Sequence, residues 1–446
     1  MDATDAHASP PIGLDVAELL AWLWPTLEAL PDEVERRAQR LWLDSAACAC
    51  SGLRADAPQR WLAMASRSDA GPVPMPGQAA TLAPASAALA LALGICWDEA
   101  CEGLALAHGR PGVPVVAALW SQLALQAPSW RRLWQATVAG YEVASRMGAR
   151  LRMRAGLHVD GTWGAFGAAV AAVHLAGGSA EQARRAIEAA ATQLPFSLLR
   201  PVRQGANVRN LYLGHSAWLG LQAAQAVAAG LDTPDGAIDD FAALALEGAP
   251  TGQWLPAGRW LILESYWKPF AAVRHLHYGA QAALALRAAG LPVEAIDAIE
   301  LRVYPEALQY CANRSPQSVL AAQFSLSFGV AAALQFGDLS PAEFRPPRFG
   351  DAALRRLESM VRIEADAGIF SDAERGALLT VQAAGRRWSH HQGAVAGDVG
   401  QPPGHAAVQA KFAQYTDRDE ALADWAHHVE HDDPLAPAGL PLHHPA

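Results

Sequence analysis

The stretch ESYWKPFAAVRHLHYGAQAALALR, residues 264–287, divides the chain into two kinds of sequence. Lys268 precedes Pro269, whose ring pushes the preceding residue toward extended backbone. A helical pattern follows, with Leu276, Ala280, Ala283 and Leu284 on one stripe. The reading is an amine just ahead of a helix start, with Arg274, His275 and His277 in the first turns. Cationic side chains beside the free N–H groups of a helix N-terminus make a natural anion site. The plain alternative is an amphipathic helix whose basic first turn is solvated.

Upstream the sequence is rich in Gly and Ala and reads as helix throughout. Residues 14–30 form an amphipathic pattern. Asp32 and Glu35 after Pro31 form a capping-box pair that opens a second helix to about Leu43, followed by the small, apolar run LDSAACACSGL. Further helices are expected over 83–94, 111–126, 130–147, 163–175, 179–194 and 214–229. Ser179 with Gln182 is another capping box, and Gly177-Gly178 sits where a helix end favours a left-handed residue.

Downstream the period changes. Ile299, Leu301 and Val303 alternate with Glu300, Arg302 and Tyr304, and Val361 and Ile363 with Arg362 and Glu364, both strand patterns. Residues 379–388 are a third, weaker strand. Residues 318–336 read as helix, and Ser340-Pro341-x-Glu343 opens another. The Gly/Pro-rich run 393–404 is a linker, and helices over 406–415 and 418–430 return to the helical body. The fold class is mainly α with an α+β insert: helical domain 1–262, α+β lid 263–404, helical return 405–446.

Composition narrows the function. The chain has 446 residues, 52% hydrophobic and 17% charged, with a net charge of −10 and no Lys/Arg block, which argues against nucleic acid as a partner. The five cysteines (48, 50, 96, 101 and 311) include no Cys-x-x-Cys and read as reduced, packed thiols. The start, MDATDAHASPPIG, lacks a signal-peptide pattern, and no run suits a membrane span, so a cytoplasmic protein with a frayed start and tail is expected. The pairs His390–His391 and His443–His444 fall on expected loop or tail without a partner at ligand spacing, so no metal is expected.

Seven ordered segments carry a resemblance: LDSAACACSGL; VAGYEVASRMG; GLHVDGTWGAFGAA; RNLYLGHSAWLGLQAAQAVAAGL; YWKPFAAVRHLH; QFSLSFGVAAALQFG; and VQAKF. Over residues 15–435 the chain resembles the MmgE/PrpD superfamily, which includes 2-methylcitrate dehydratase and cis-aconitate decarboxylase. The resemblance implies a large helical domain with a smaller α+β lid, a homodimer, no cofactor, and a site between body and lid. It also implies chemistry next to a carboxylate: a base takes a proton, cations hold the negative charge, and an acid serves the leaving group.

At the chemistry the match thins. The family's Leu-Asp-aromatic-Asp-Asp-Thr run corresponds to residues 95–100, where Cys96 and Ala100 replace the first Asp and the Thr while Asp98 and Glu99 remain. The family's His before Pro-Gly becomes Arg110, a Lys becomes Arg209, a Tyr becomes Phe328, and a His after the lid Lys becomes Val273. Lys268 and His158 persist. Lys268, His158 and Asp98 are therefore the expected catalytic residues. Arg209, Arg110, Arg274, His277, Cys96, Phe328 and His108 are expected to bind substrate. Glu142 and Arg146, one helical turn apart, read as a structural pair. Two functions follow: a lyase or isomerase of altered chemistry on a small-molecule carboxylate, or a catalytically silent relative that binds a ligand or partner. An ordinary 2-methylcitrate dehydratase or cis-aconitate decarboxylase is a further alternative.

Overall fold

The computed structural model describes residues 12–371 and 374–440. The expected frayed ends and the pair His443–His444 lie outside them. The helices fall where the apolar period places them: Ile12–Leu27, Pro84–Trp97, Gly112–Gln126, Trp130–Arg150, Gly164–Leu175, Ala180–Ala191 and Tyr212–Ala228. The Ser179–Gln182 capping box forms in both directions. No described helix is long and apolar enough to cross a membrane.

Helix Asp32–Leu53 departs from expectation at both ends. Pro31 is its cap residue and no side chain caps it, so Asp32 and Glu35 act as first-turn acids toward the helix dipole rather than as a capping box. The helix also runs straight through LDSAACACSGL, because those small residues let it cross helix Pro84–Trp97 at backbone contact. A Cβ on Gly52 would stand 2.0 Å from the Gly94 carbonyl oxygen. The first 260 residues are not wholly helical either. A small ribbon joins Ala70–Pro74 to Thr81–Leu82, and a second pairs Leu157–His158 with Ser197–Leu198, placing His158.

The insert holds a four-stranded sheet in the order Val361–Ala365, Ile296–Val303, Ala377–Ala383, Arg386–Gln392. The first pair is parallel and the other two antiparallel. Residues 379–388 are thus not one strand but a hairpin. Ala384 and Gly385 both take positive φ, 51° and 69°, which a two-residue turn matching the strand twist requires. His390 and His391 lie on its second strand rather than in a loop. Residues 318–336 form two helices, because the Ser325 hydroxyl caps the second by accepting from Phe328 N at 3.2 Å. Ser340-Pro341 opens only a 3-10 turn, Pro341–Phe344, since Arg345 precedes two prolines and cannot continue a helix. Helix Arg274–Ala288 packs on this sheet and on helix Leu326–Phe336.

Helix His405–Tyr415 returns to helix Asp32–Leu53 and plants a buried lysine in the join. Lys411 Nζ pairs with Asp44 Oδ1 at 2.5 Å and donates to the carbonyls of Ala100 at 2.8 Å and Lys268 at 3.0 Å. Trp267 Nε1 donates to the same Asp44 oxygen at 2.8 Å. A second latch is the buried Glu142–Arg146 pair, 2.6 Å apart, as the helical spacing suggests. Glu142 accepts from the N–H groups of Leu261 and Ile262, and Arg146 donates to the carbonyls of Leu255, Pro256 and Arg259. Both latches fix the strap that carries Lys268.

Gly52→Ala should lower the unfolding free energy by about 1–3 kcal/mol or more, because the new methyl meets backbone rather than a mobile side chain. A urea midpoint equal to wild type would contradict the close helix crossing.

Candidate active site

The segment after helix Pro84–Trp97 turns sharply. Glu99 takes φ 53°, a left-handed conformation that costs a non-Gly residue about 1–3 kcal/mol. The turn sends the neighbouring carboxylates Asp98 and Glu99 in different directions. Asp98 accepts from Ser51 Oγ at 2.6 Å and from Arg345 Nη2 at 2.7 and 2.9 Å. Glu99 instead points into a nest of cations.

Arg110 Nη1 donates to Glu99 Oε1 at 3.1 Å, and Arg209 Nη1 lies 2.5 Å from the same oxygen. Lys268 Nζ donates to the Glu99 carbonyl at 2.8 Å and to Oε2 at 3.3 Å. A second carboxylate, Asp160, binds Arg110 Nη2 directly and lies 3.9 Å from Arg209 Nη2. All five side chains are buried; Lys268 is 2% exposed and is no surface lysine. Burial pushes the Glu99 carboxyl up, but Arg110, Arg209 and Lys268 outweigh it and hold it far below the usual range. Asp160 is likewise raised by burial but lowered more by Arg110, His158 and Arg209.

His158 reaches the cluster through Asp160. Its Nδ1 accepts the Asp160 backbone N–H at 3.0 Å, which leaves the ring proton on Nε2. Burial lowers its pKa to about 4 despite the Asp160 carboxylate 3.8 Å away, so the ring is neutral at pH 7.

Two thiols close the other side. Cys101 Sγ accepts from Arg110 Nη1 at 3.7 Å and is hydrogen-bonded by Cys96. The Cys96 hydrogen bond, with Arg110 and Lys268, lowers Cys101 to about 6 against its burial. Cys48, Cys50, Cys96 and Cys311 are raised, each chiefly by burial. Next to Cys101, Glu102 is pushed to about 8 by burial and the Cys101 charge. It accepts from Gly112 N at 2.8 Å and Tyr141 Oη at 3.2 Å.

The structure thus brings together Lys268, His158, Arg209, Arg110 and Cys96 from the sequence expectations. It does not bring in the other five. Asp98 is held by Arg345 and Ser51. Arg274 is paired with Asp398 and flanked by the rings of Tyr266 and Tyr278, on a separate cavity of about 590 Å³. His277 is buried with Nε2 3.0 Å from the Ala272 carbonyl. Phe328 is core, against Phe344 and Phe349. His108 is exposed at the left-handed end of a 3-10 turn. Sequence reasoning passed over Asp160 and Cys101 and placed Glu99 second to Asp98. The one available signal was charge demand, since Arg110, Arg209 and Lys268 cannot be buried without carboxylates to match. Among the described residues no group of three or more His, Cys, Asp or Glu could hold a metal ion.

A model of the MmgE/PrpD N-terminal domain matches residues 24–245, and one of the MmgE/PrpD C-terminal domain matches residues 270–424. Lys268 lies in the join between them. No curated protein matches the chain significantly.

Glu99→Gln should cost about 3–5 kcal/mol in chemical denaturation, since it leaves buried cations uncompensated; a loss below about 1 kcal/mol would contradict the cluster. His158 gives a pH signature. Its folded pKa lies below the unfolded value of 6.5, so stability is present above 6.5 and is lost as pH falls toward about 4. His158→Gln should remove up to about 1.4 kcal/mol per pH unit of slope in that window. An unchanged slope would mean the ring is not held neutral.

Proposed function

Since this chain belongs to the MmgE/PrpD family, a family of dehydratase- and lyase-like enzymes, we propose that it is a cofactor-free lyase or isomerase acting on a carboxylate-bearing small molecule. The observation that carries the reading is the convergence of Arg110, Arg209 and Lys268 on one carboxylate in a buried setting. Three fixed cations in low dielectric would hold a substrate carboxylate and the charge that develops when the adjacent carbon loses a proton. His158, with its proton on Nε2, would serve as a donor to a leaving group or a shifting double bond.

The reaction would differ from those named for the family. Arg110 and Arg209 stand where the pattern has His and Lys, and an arginine clamps carboxylates but stays protonated. Cys96, Ala100 and Phe328 remove a carboxylate and two hydroxyls. A more apolar acid, undergoing cyclisation or a double-bond shift in a biosynthetic pathway, fits that drift. The family resemblance implies that the enzyme works as a homodimer. One observation favours the second reading, a silent relative that binds a ligand or partner: Glu99 already fills the cation nest from within.

Incubation with a panel of unsaturated and polyketide-like acids, followed by mass spectrometry, separates the two. An active enzyme converts one of them, keeps its activity under a chelator, and loses about 10²–10³ in rate on Lys268→Ala. 2-Methylcitrate and cis-aconitate should bind without turnover. Turnover of either at about 1 s⁻¹ or faster would contradict the altered chemistry, and no conversion of any acid would favour the silent relative.

A further inference from the structure

The cluster's charges do not balance on the residues that form its ion pairs. Arg110, Arg209 and Lys268 bring three positive charges, while Glu99 and Asp160 bring two negative ones. The outlying ion pairs, Asp98–Arg345 and Asp44–Lys411, are each neutral in themselves. His158 adds no charge, because its Nδ1 lone pair is taken by the Asp160 N–H. A buried excess charge is costly, so a third anion is required nearby.

Two adjacent residues could supply it. Glu102 is buried, but its oxygens face the Gly112 N–H and the Tyr141 hydroxyl, not a cluster cation. Cys101 is the other, and its sulfur lies 3.7 Å from Arg110 Nη1, with the Cys96 thiol hydrogen-bonded to it. We propose that Cys101 is a thiolate at neutral pH, the sixth charge of the cluster, and that it is the site's proton acceptor.

The groups facing this sulfur support that state. Its cations are Arg110, Lys268 and, across the join, Lys411. Against them stand Glu99, already committed to three cations, and Glu102, whose carboxyl is pushed up first by burial and then by the Cys101 charge. Cys96, which is hydrogen-bonded to the sulfur, and Cys48 and Tyr266 complete the surroundings as neutral groups.

The other candidates for the base are each spent. Lys268 and the arginines are the cationic partners of the ion pairs. Glu99 and Asp160 are paired carboxylates with little proton affinity. His158 can donate from Nε2 but accepts at Nδ1 only by giving up its hydrogen bond. A thiolate whose conjugate acid lies near neutrality matches the requirement for a general base. It would take the proton from the carbon next to the substrate carboxylate, becoming a thiol, while the electron pair passes into an enolate held by the cations. This base role rests on the proposed function; the thiolate itself does not.

Far-ultraviolet difference spectra between wild type and Cys101→Ser, taken across pH, test the charge state directly. A thiolate band should appear with a midpoint near 6 and be missing from the variant. Cys96→Ala, which keeps Cys101, should move that midpoint upward, so the proposal remains testable if Cys101→Ser does not fold. A band that appears only in the ordinary thiol range near 8.5, or one that persists in Cys101→Ser, would overturn it. Iodoacetate then separates the two claims. Attack by the sulfur displaces iodide and leaves carboxymethyl-Cys101, which peptide mapping should find ahead of the other four cysteines. A band without labelling would leave the thiolate standing and contradict a site that admits a carboxylate, which is the proposed function.

Discussion

The Glu99 carboxylate is the contact on which the site depends. It joins Arg110 at the start of helix Gly112–Gln126, Arg209 in the turn before helix Tyr212–Ala228, and Lys268 on the strap to the insert. Arginine cannot shed its proton on burial, so these cations are tolerated only with matched acceptors. That requirement accounts for the left-handed turn at Glu99, which swings the carboxylate away from Asp98. It also accounts for two latches that hold the strap, Asp44–Lys411 from the returning helix and Glu142–Arg146 from within the body. Helix packing supplies the frame, with Gly52 and Gly94 allowing the approach that sets the turn.

Set beside the family pattern, the cluster keeps its cations and differs in its proton carriers. Arg110 and Arg209 clamp without titrating, and His158 is locked as a neutral donor. The groups left nearest neutrality are Cys101, lowered by its Cys96 hydrogen bond and the cations, and Glu102, raised by burial and the Cys101 charge. In the proposed reaction, electrostatic stabilisation of a carboxylate and its enolate would therefore be the main contribution of the site, and proton transfer would fall to residues that a motif comparison does not point to.

Much of the fold was legible because its signals are periodic. The helices from Pro84 to Ala228 and the strand Ile296–Val303 follow apolar spacing, and the Ser179 cap follows from two residues. The hairpin at Ala384–Gly385 was not, since alanine is a poor advertisement for a left-handed turn. At the site, Lys268, His158, Arg110 and Arg209 were found by position in motifs. Asp98 was preferred to Glu99 because adjacent carboxylates look alike until the backbone angle between them is known. His277 lies within a motif, and Phe328 stands where the family pattern has Tyr, yet both face the core, which sequence spacing cannot distinguish from facing a ligand. Cys101 was invisible because its surroundings include charges up to 310 positions away along the chain (411 minus 101).

In the proposed function, three buried cations form a seat for a substrate carboxylate. Titration calorimetry with citrate, on wild type and on Arg209→Gln, tests it most directly. Wild type should give measurable heat of binding, and the variant an affinity lowered by about tenfold or more, the loss of one charge-assisted contact. Equal affinity in the two proteins, or no binding to wild type, would contradict it.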